Sequence, residues 1–314
     1  MKLLHNIYSK KQLKIDMLHD SRSRYTLSFY KYCDINDPIT LRNKMYIIFL
    51  KLEIFGRIYI SKEGVNAQIS VLKENINQFK ICLSNLDNIF YNIHINQSLD
   101  IRKSFWMLQI KIRKKIISDG LKDKNIDFNN VGNYLKISDV NNILKKKDTI
   151  CVDMRNEYEY VIGHFINAIK IPGETFRSQL RIIVDFLKKY KKRNIVMYCT
   201  GGIRCEKATA WLKHNGFNKV YQIHGGILNY LYESRKNNFE IKFQGKMFVF
   251  DNRIAERISN DILSICYNCG IPCDDYINCK NDFCHKLFIQ CTLCSKKYSY
   301  FCSSQCKKNY FSKK

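Results

Sequence analysis

The chain has 314 residues, enough for two or three domains at roughly 100 to 200 residues each. Its 46% hydrophobic content and mean hydropathy of −0.32 are those of a globular protein, and no apolar run approaches the roughly 20 residues that a membrane-spanning helix needs, which argues against a membrane protein. Lys and Arg number 53 against 28 Asp and Glu, a formal charge of +25. An excess of that size suits a polyanionic partner such as RNA, DNA or a ribosomal surface. The abundance of Lys, Asn and Ile, as from an AT-biased genome, would produce a similar excess, so charge alone does not decide the partner.

Residues 1–24 read as an N-terminal extension, basic but without an apolar segment followed by small residues, so a cytoplasmic location is expected. A first domain, 25–120, opens with an alternating, aromatic-rich strand at 25–32. Asp37-Pro38 supplies an N-cap and a first-turn proline for a helix reaching toward Phe55 and ending at Gly56. Strands at 57–61 and 67–71 flank a turn at 63–66, a second helix covers 73–85 and a last strand 106–113. The order βαββαβ predicts a ferredoxin-like sheet with helices on one face. A polar, Asn-rich linker follows at 121–131.

The second domain, 132–234, reads as α/β. Short apolar runs at 150–154 and 194–198 have the character of buried strands in a central parallel sheet, with helical stretches between and after them. Here the chain reads strand, tight loop, helix: Tyr198-Cys199-Thr200-Gly201-Gly202-Ile203-Arg204-Cys205, then Glu206-Lys207-Ala208. A cysteine at a strand end, followed by two glycines and an arginine before a helix, lies where backbone N–H groups and the helix dipole converge. That setting stabilises a thiolate. Cys199 is the candidate nucleophile, with Thr200, Gly201, Gly202, Ile203 and Arg204 as its loop. Cys205 is either a resolving thiol or a core residue.

Two flanking motifs give this loop its context. Asp153-Met154-Arg155 after a strand, then Gly163-His164, lies upstream, and Val220-Tyr221-Gln222-Ile223-His224-Gly225-Gly226 lies downstream. In this order the three motifs resemble a rhodanese-like domain. In that family a six-residue Cys-to-Arg loop goes with sulfur chemistry and a loop one residue longer with phosphatases. Cys199 to Arg204 is six residues, which disfavours a phosphatase. Asp153 and Arg155 are expected to pair across the domain, and His164 to be a packing residue.

Nine of the 14 cysteines fall within 266–306, in a Cys-rich segment, 241–314, with little periodicity of its own. Close pairs of Cys suit structural zinc better than disulfides in a cytosolic chain. One partition groups Cys266, Cys269, Cys291 and Cys294, and another Cys279, Cys284, Cys302 and Cys306, with Cys273 left over. Sequence does not fix the pairing, and an iron–sulfur cluster is the competing metal reading.

The loop run through Ala208, the run Cys269-Gly270-Ile271-Pro272-Cys273, Glu63-Gly64-Val65-Asn66-Ala67 and Gly245-Lys246-Met247-Phe248-Val249-Phe250 together resemble the bacterial rhodanese-like tRNA uridine hydroxylases over nearly the whole chain. The resemblance implies hydroxylation at C5 of the wobble uridine, in the anticodon region of tRNA, with molecular oxygen as cosubstrate and Cys199 as the required thiol. Neither flavin nor haem is expected. The N-terminal domain would help to hold RNA through Arg102, Lys103 and Trp106 and through Lys111 and Arg113, which combine basic and aromatic groups. The rival readings are a sulfurtransferase carrying a persulfide on Cys199 and a non-catalytic zinc-containing RNA-binding protein.

Overall fold

The computed structural model describes residues 4, 9–98, 103–121 and 126–312. They divide into two compact units, one of Met1–Asn156, Ala168–Ile241 and Phe250–Arg253, the other of Glu157–Asn167, Lys242–Val249 and Ile254–Lys314.

The first unit begins with an unexpected helix, α1 (Lys10–His19), capped by the Ser9 hydroxyl accepting from the Gln12 N–H. A five-stranded sheet follows, built from β1 (Arg24–Tyr32), β2 (Phe55–Ser61), β3 (Gly64–Leu72), β4 (Asn96–Gln97) and β5 (Leu108–Ile112) in the order β4-β1-β3-β2-β5. The helices α2 (Pro38–Lys51) and α3 (Ile76–Leu86) bury their apolar residues against it. Alternation along β1 sends Leu27 and Phe29 into a core with Met45, Phe49, Phe79 and Leu83, each contributing about 1.5–3 kcal/mol on burial. Ser28 and Tyr30 fall on the opposite face.

Three expectations need correction here. The first helix stops at Lys51, because Glu53 turns left-handed (φ 50°) and the Ile54 N–H closes on the Phe49 carbonyl at 2.8 Å; Gly56 lies inside β2. The turn between β2 and β3 is only residues 62–63, since β3 already begins at Gly64. The strand expected at 106–113 runs parallel to β2 at the far edge as β5, while the place beside β1 is taken by the two-residue β4, which lacks enough length for a periodic signal.

The sheet of the rhodanese-like region is wholly parallel. It comprises β6 (Asn133–Leu135), β7 (Thr149–Asp153), β9 (Ile169–Lys170), β10 (Asn194–Tyr198) and β11 (Val220–Ile223) in the order β6-β11-β10-β7-β9. Its helices are α4 (Ile137–Leu144), α6 (Phe176–Leu187), α7 (Ile203–His214) and α8 (Gly226–Lys236); α5 (Glu157–Ile162) and β8 (Gly163–Phe165) belong to the second unit. Leu180, Ile183 and Leu187 of α6 and Ala208 and Leu212 of α7 pack on Val152, Ile195 and Met197. Asp153 and Arg155 pair with each other at 2.6 Å, fully buried, and the Tyr198 hydroxyl of β10 donates to Asp153.

In the second unit, β12 (Phe243–Phe248) pairs antiparallel with β8 and with β13 (Ala255–Arg257). Gly163 and His164 open β8, where the His164 ring stacks on Tyr160 with centroids 4.1 Å apart. The Cys-rich portion holds a hairpin, β14 (Tyr276–Asn278) with β15 (Leu287–Ile289), and the short helices α9 (Thr292–Lys297) and α10 (Ser304–Phe311). Its apolar cluster is small, with Phe288 and Phe301 packed among Cys279 and Cys302.

Candidate active site

Cys199 follows the last residue of β10, a strand flanked on both sides by parallel neighbours. Its carbonyl accepts from the Ile227 N–H at 3.0 Å and that of Thr200 from the Leu228 N–H at 3.1 Å, so the start of α8 clamps the loop. The clamp requires glycine at 226, because a Cβ there would collide with the Cys199 carbonyl oxygen. Gly202, at φ +101°, is the left-handed residue that swings the chain into α7 and aims its N–H at the Cys199 Sγ, 3.1 Å away.

The thiol is wholly buried, and burial opposes its ionisation. A hydrogen bond from the Cys205 thiol, the charge of Arg204 and the amides of Arg204 and Cys205 outweigh that penalty and hold Cys199 at about 6, below the ordinary thiol value of about 8.5. Cys199 is therefore mostly thiolate at neutral pH. Arg204 is fixed by a 3.1 Å hydrogen bond to the Thr200 Oγ1 and lies over the Phe250 ring. Cys205 is buried, and burial together with the neighbouring Cys199 pushes its own ionisation well above the ordinary range. It serves the loop as a hydrogen-bond donor.

Residues of the N-terminal sheet reach this loop from the face opposite their core, an arrangement the motifs gave no sign of. The Tyr30 hydroxyl donates to the Glu206 Oε1 at 2.8 Å and the Tyr134 hydroxyl to the same oxygen at 2.6 Å. Burial, then the Glu206 carboxylate, keeps both tyrosines protonated. Lys207, fully buried on α7, donates to Glu63 at 2.8 Å and to Asp119, beneath the rings of Tyr32 and Phe128. Asn96 of β4 directs its Nδ2 at the Gly201 carbonyl, 3.4 Å away, and its Oδ1 at the His94 Nε2, 2.8 Å away. The rings of His94 and His224 meet edge-on at 4.4 Å. The polar alternation of β1 was the one available sequence signal for this face; the partners lie more than 100 residues away along the chain.

The expected RNA-binding residues are dispersed in their contacts. Lys103 donates to the Arg22 carbonyl at 2.9 Å, Trp106 lies beneath Lys14, and Arg113 lies over Tyr59. Lys111 and Arg113 are exposed at the edge of the sheet. Arg102 lies outside the described residues.

Eight of the nine clustered cysteines gather into two groups, Cys266, Cys269, Cys291 and Cys294, and Cys279, Cys284, Cys302 and Cys306, with the sulfurs of each group within 4.8 Å of one another. Cys273 belongs to neither and donates its N–H to the Ser264 carbonyl. Sulfur–sulfur separations of 3.7 Å for Cys269–Cys291 and 3.6 Å and 3.8 Å for Cys279–Cys306 and Cys284–Cys302 exceed any disulfide. They equal the edge, about 3.8 Å, of a tetrahedron with metal–sulfur bonds near 2.3 Å. The Cys291 N–H and the Asn281 amide donate to the sulfurs of Cys266 and Cys306, as thiolates bound to a metal require.

Residues 24–116 match the UPF0176 acylphosphatase like domain, 136–233 the rhodanese-like domain and 244–307 the rhodanase C-terminal domain. A Buchnera aphidicola protein named tRNA uridine(34) hydroxylase is 51% identical over 306 residues, covering 98% of each chain. Proteins of the same name from Escherichia coli and Salmonella heidelberg are 50% and 49% identical over 307 residues, covering 98% of this chain and 88% of theirs. With about half of its residues identical over nearly its whole length, this chain belongs to the tRNA uridine(34) hydroxylase family.

Proposed function

We propose that this protein hydroxylates C5 of uridine 34, the wobble position of tRNA, with Cys199 as its nucleophile and molecular oxygen as cosubstrate. The observation that carries this reading is a buried, Arg204-paired thiolate in a chain half identical, end to end, to proteins of that name. The Cys199 thiolate adds to C6 of uracil, and the C5=C6 electron pair moves toward C5 and O4. The nucleophilic C5 then takes one oxygen atom from O2. Two electrons from an external thiol-class reductant and two protons convert the other atom to water, and loss of the C5 proton with release of Cys199 restores the ring. Arg204 and the loop amides stabilise the thiolate before addition and after release.

Exposed Lys111 on β5 and Arg113 just beyond its end, together with Arg102, Lys103 and Trp106, would grip phosphates and bases of the anticodon arm. The two four-cysteine groups would each hold a structural zinc ion, whose binding orders a segment with little apolar core. No described helix is long and apolar enough to cross a membrane, and a cytoplasmic location, where tRNA is found, belongs to the same proposal.

The test incubates the purified protein with unmodified tRNA in air and under anaerobic conditions, then digests the RNA for mass spectrometry. Gain of one oxygen on uridine 34, dependent on air and absent in Cys199→Ser, supports the reading. No gain, with a persulfide formed on Cys199 from thiosulfate, would replace it with a sulfurtransferase.

A further inference from the structure

Arg204 supplies the positive charge at the Cys199 thiolate, and its place is set from two sides. The Thr200 Oγ1 accepts from its Nη2 at 3.1 Å, and the Phe250 ring lies against the guanidinium with 5.6 Å between the Arg204 Cζ and the ring centroid, within cation–π range. Arg204 is 5% exposed, so little water competes with the ring for the charge.

Phe250 comes from a distant part of the chain, the loop 250–253 between β12 and β13, which belongs to the first unit. At the neck of this loop the Val249 N–H donates to the Ile254 carbonyl at 2.8 Å, and Ile254 takes a φ of 63°. A β-branched residue is left-handed only where its surroundings hold it there. The tip is clasped to the N-terminal domain. The Ser104 carbonyl accepts from the Asn252 backbone N–H at 3.1 Å and from its Nδ2 at 2.7 Å. Arg253, 8% exposed, donates to the Ser98 Oγ at 2.6 Å and to the Asp251 Oδ1 at 2.7 Å, so its charge is balanced within the loop. Ser104 is itself tied to β1 by a 2.6 Å hydrogen bond between its Oγ and the Thr26 Oγ1. The polar residues of the loop thus serve as anchors, and its aromatic residue meets the arginine.

We propose that Phe250 is a positioning residue for uridine hydroxylation: the clasped loop 250–253 holds its ring against Arg204, and the ring holds the guanidinium at the Cys199 thiolate. The inference rests on the reading of Cys199 as the nucleophile and deepens it. An arginine side chain has many rotamers, and a guanidinium that swings toward water loses most of its pull on a buried anion. The ring keeps the charge in the interior, where that pull is strongest. The other titratable groups described around Cys199 are Cys205 on α7 and Tyr30 and Tyr32 on β1, all held protonated by burial, with Glu206 beside them. Phe250 carries no charge of its own, so it reaches the ionisation of the thiol through Arg204.

The experiment follows alkylation of Cys199 by iodoacetamide against pH in the full-length protein without tRNA, and beside it kcat/KM for hydroxylation. Phe250→Ala should move the alkylation midpoint up by about half a pH unit, a part of what removal of Arg204 itself would do. At about pH 5 such a shift slows alkylation, and lowers kcat/KM, roughly threefold, with the high-pH plateau unchanged. Phe250→Tyr keeps the aromatic face and should keep the wild-type midpoint, whereas Phe250→Leu keeps the bulk alone and should shift as alanine does. In an Arg204→Ala background, Phe250→Ala should add no further shift. An unmoved midpoint in both Phe250→Ala and Phe250→Leu would overturn the proposal, and so would an equal shift in the Arg204→Ala background, which would place the effect elsewhere. Leucine at the wild-type midpoint would likewise reduce the ring to a space filler; because it preserves volume, this variant decides the matter even if alanine does not fold. A wild type that fails to hydroxylate uridine would remove the parent reading and leave the hold of Phe250 on Arg204 to be judged by alkylation, whereas an active wild type with unmoved variants would remove this inference alone.

Discussion

Cys199 and the eight grouped thiols of the second unit are the same residue type in surroundings that differ in kind. Cys199 is one sulfur among donors: the Gly202 amide, the Cys205 thiol and the Arg204 guanidinium all face it, supported by a parallel sheet with a large core. The grouped thiols face each other at 3.6 to 3.8 Å with few apolar residues behind them. In the first region the fold creates the charge on the sulfur. In the second, the sulfurs are placed to hold a metal ion, and on the proposed reading its binding supplies the folding energy that so small an apolar cluster does not.

Metal removal tests that contrast most severely. Structural zinc contributes on the order of 10 kcal/mol of folding energy. A chelator should therefore abolish amide-exchange protection in β14, β15 and α9, while the amides of β10 stay protected and Cys199 stays reactive. Retained protection in metal-depleted protein would show that the segment has another source of order. Next in size is Cys199→Ala, expected to lower hydroxylation by at least about 1,000-fold with the metal content, read by elemental analysis, unchanged.

Lys207→Ala should cost about 1.5–3 kcal/mol in urea unfolding, because it removes one of the two amines that pair with the buried carboxylate of Asp119 and leaves Lys115 at 2.6 Å as the other. A cost below about 1 kcal/mol would mean that water replaces the amine. Arg204→Ala is read through the ionisation of Cys199. Alkylation of wild-type Cys199 should be slow below pH 6, where the thiol is protonated, and rise through about pH 6 to a plateau. Removing the guanidinium removes a force that favours the anion, so the midpoint should move up by roughly one pH unit. Cys205→Ala should move it in the same direction.

The reactive loop was legible because its parts are contiguous. Cys199, the glycines and Arg204 span six residues, and local backbone rules suffice to place thiol, amides and charge together. The cysteine partition was legible as an option because tight pairs constrain which sulfurs can meet, although only the folded hairpin brings 266–269 to 291–294. Glu206, Lys207 and Asn96 were not legible as the residues that join the loop and its helix to the N-terminal domain. Their partners Tyr30, Asp119 and Gly201 are 88 to 176 residues distant, and pairing over such distances is set by docking of one sheet face on another, which leaves no periodic trace. β4 failed for a simpler reason, since two residues carry no alternation.

The central claim is that the Cys199 thiolate performs the chemistry on uridine 34. Its most direct test is the pH dependence of kcat/KM for hydroxylation, measured beside the alkylation profile in wild type and in Arg204→Ala. The account predicts that both profiles rise through about pH 6 in the wild type and move upward together in the variant. Hydroxylation that ignores the Cys199 midpoint, or that survives in Cys199→Ser, would contradict it.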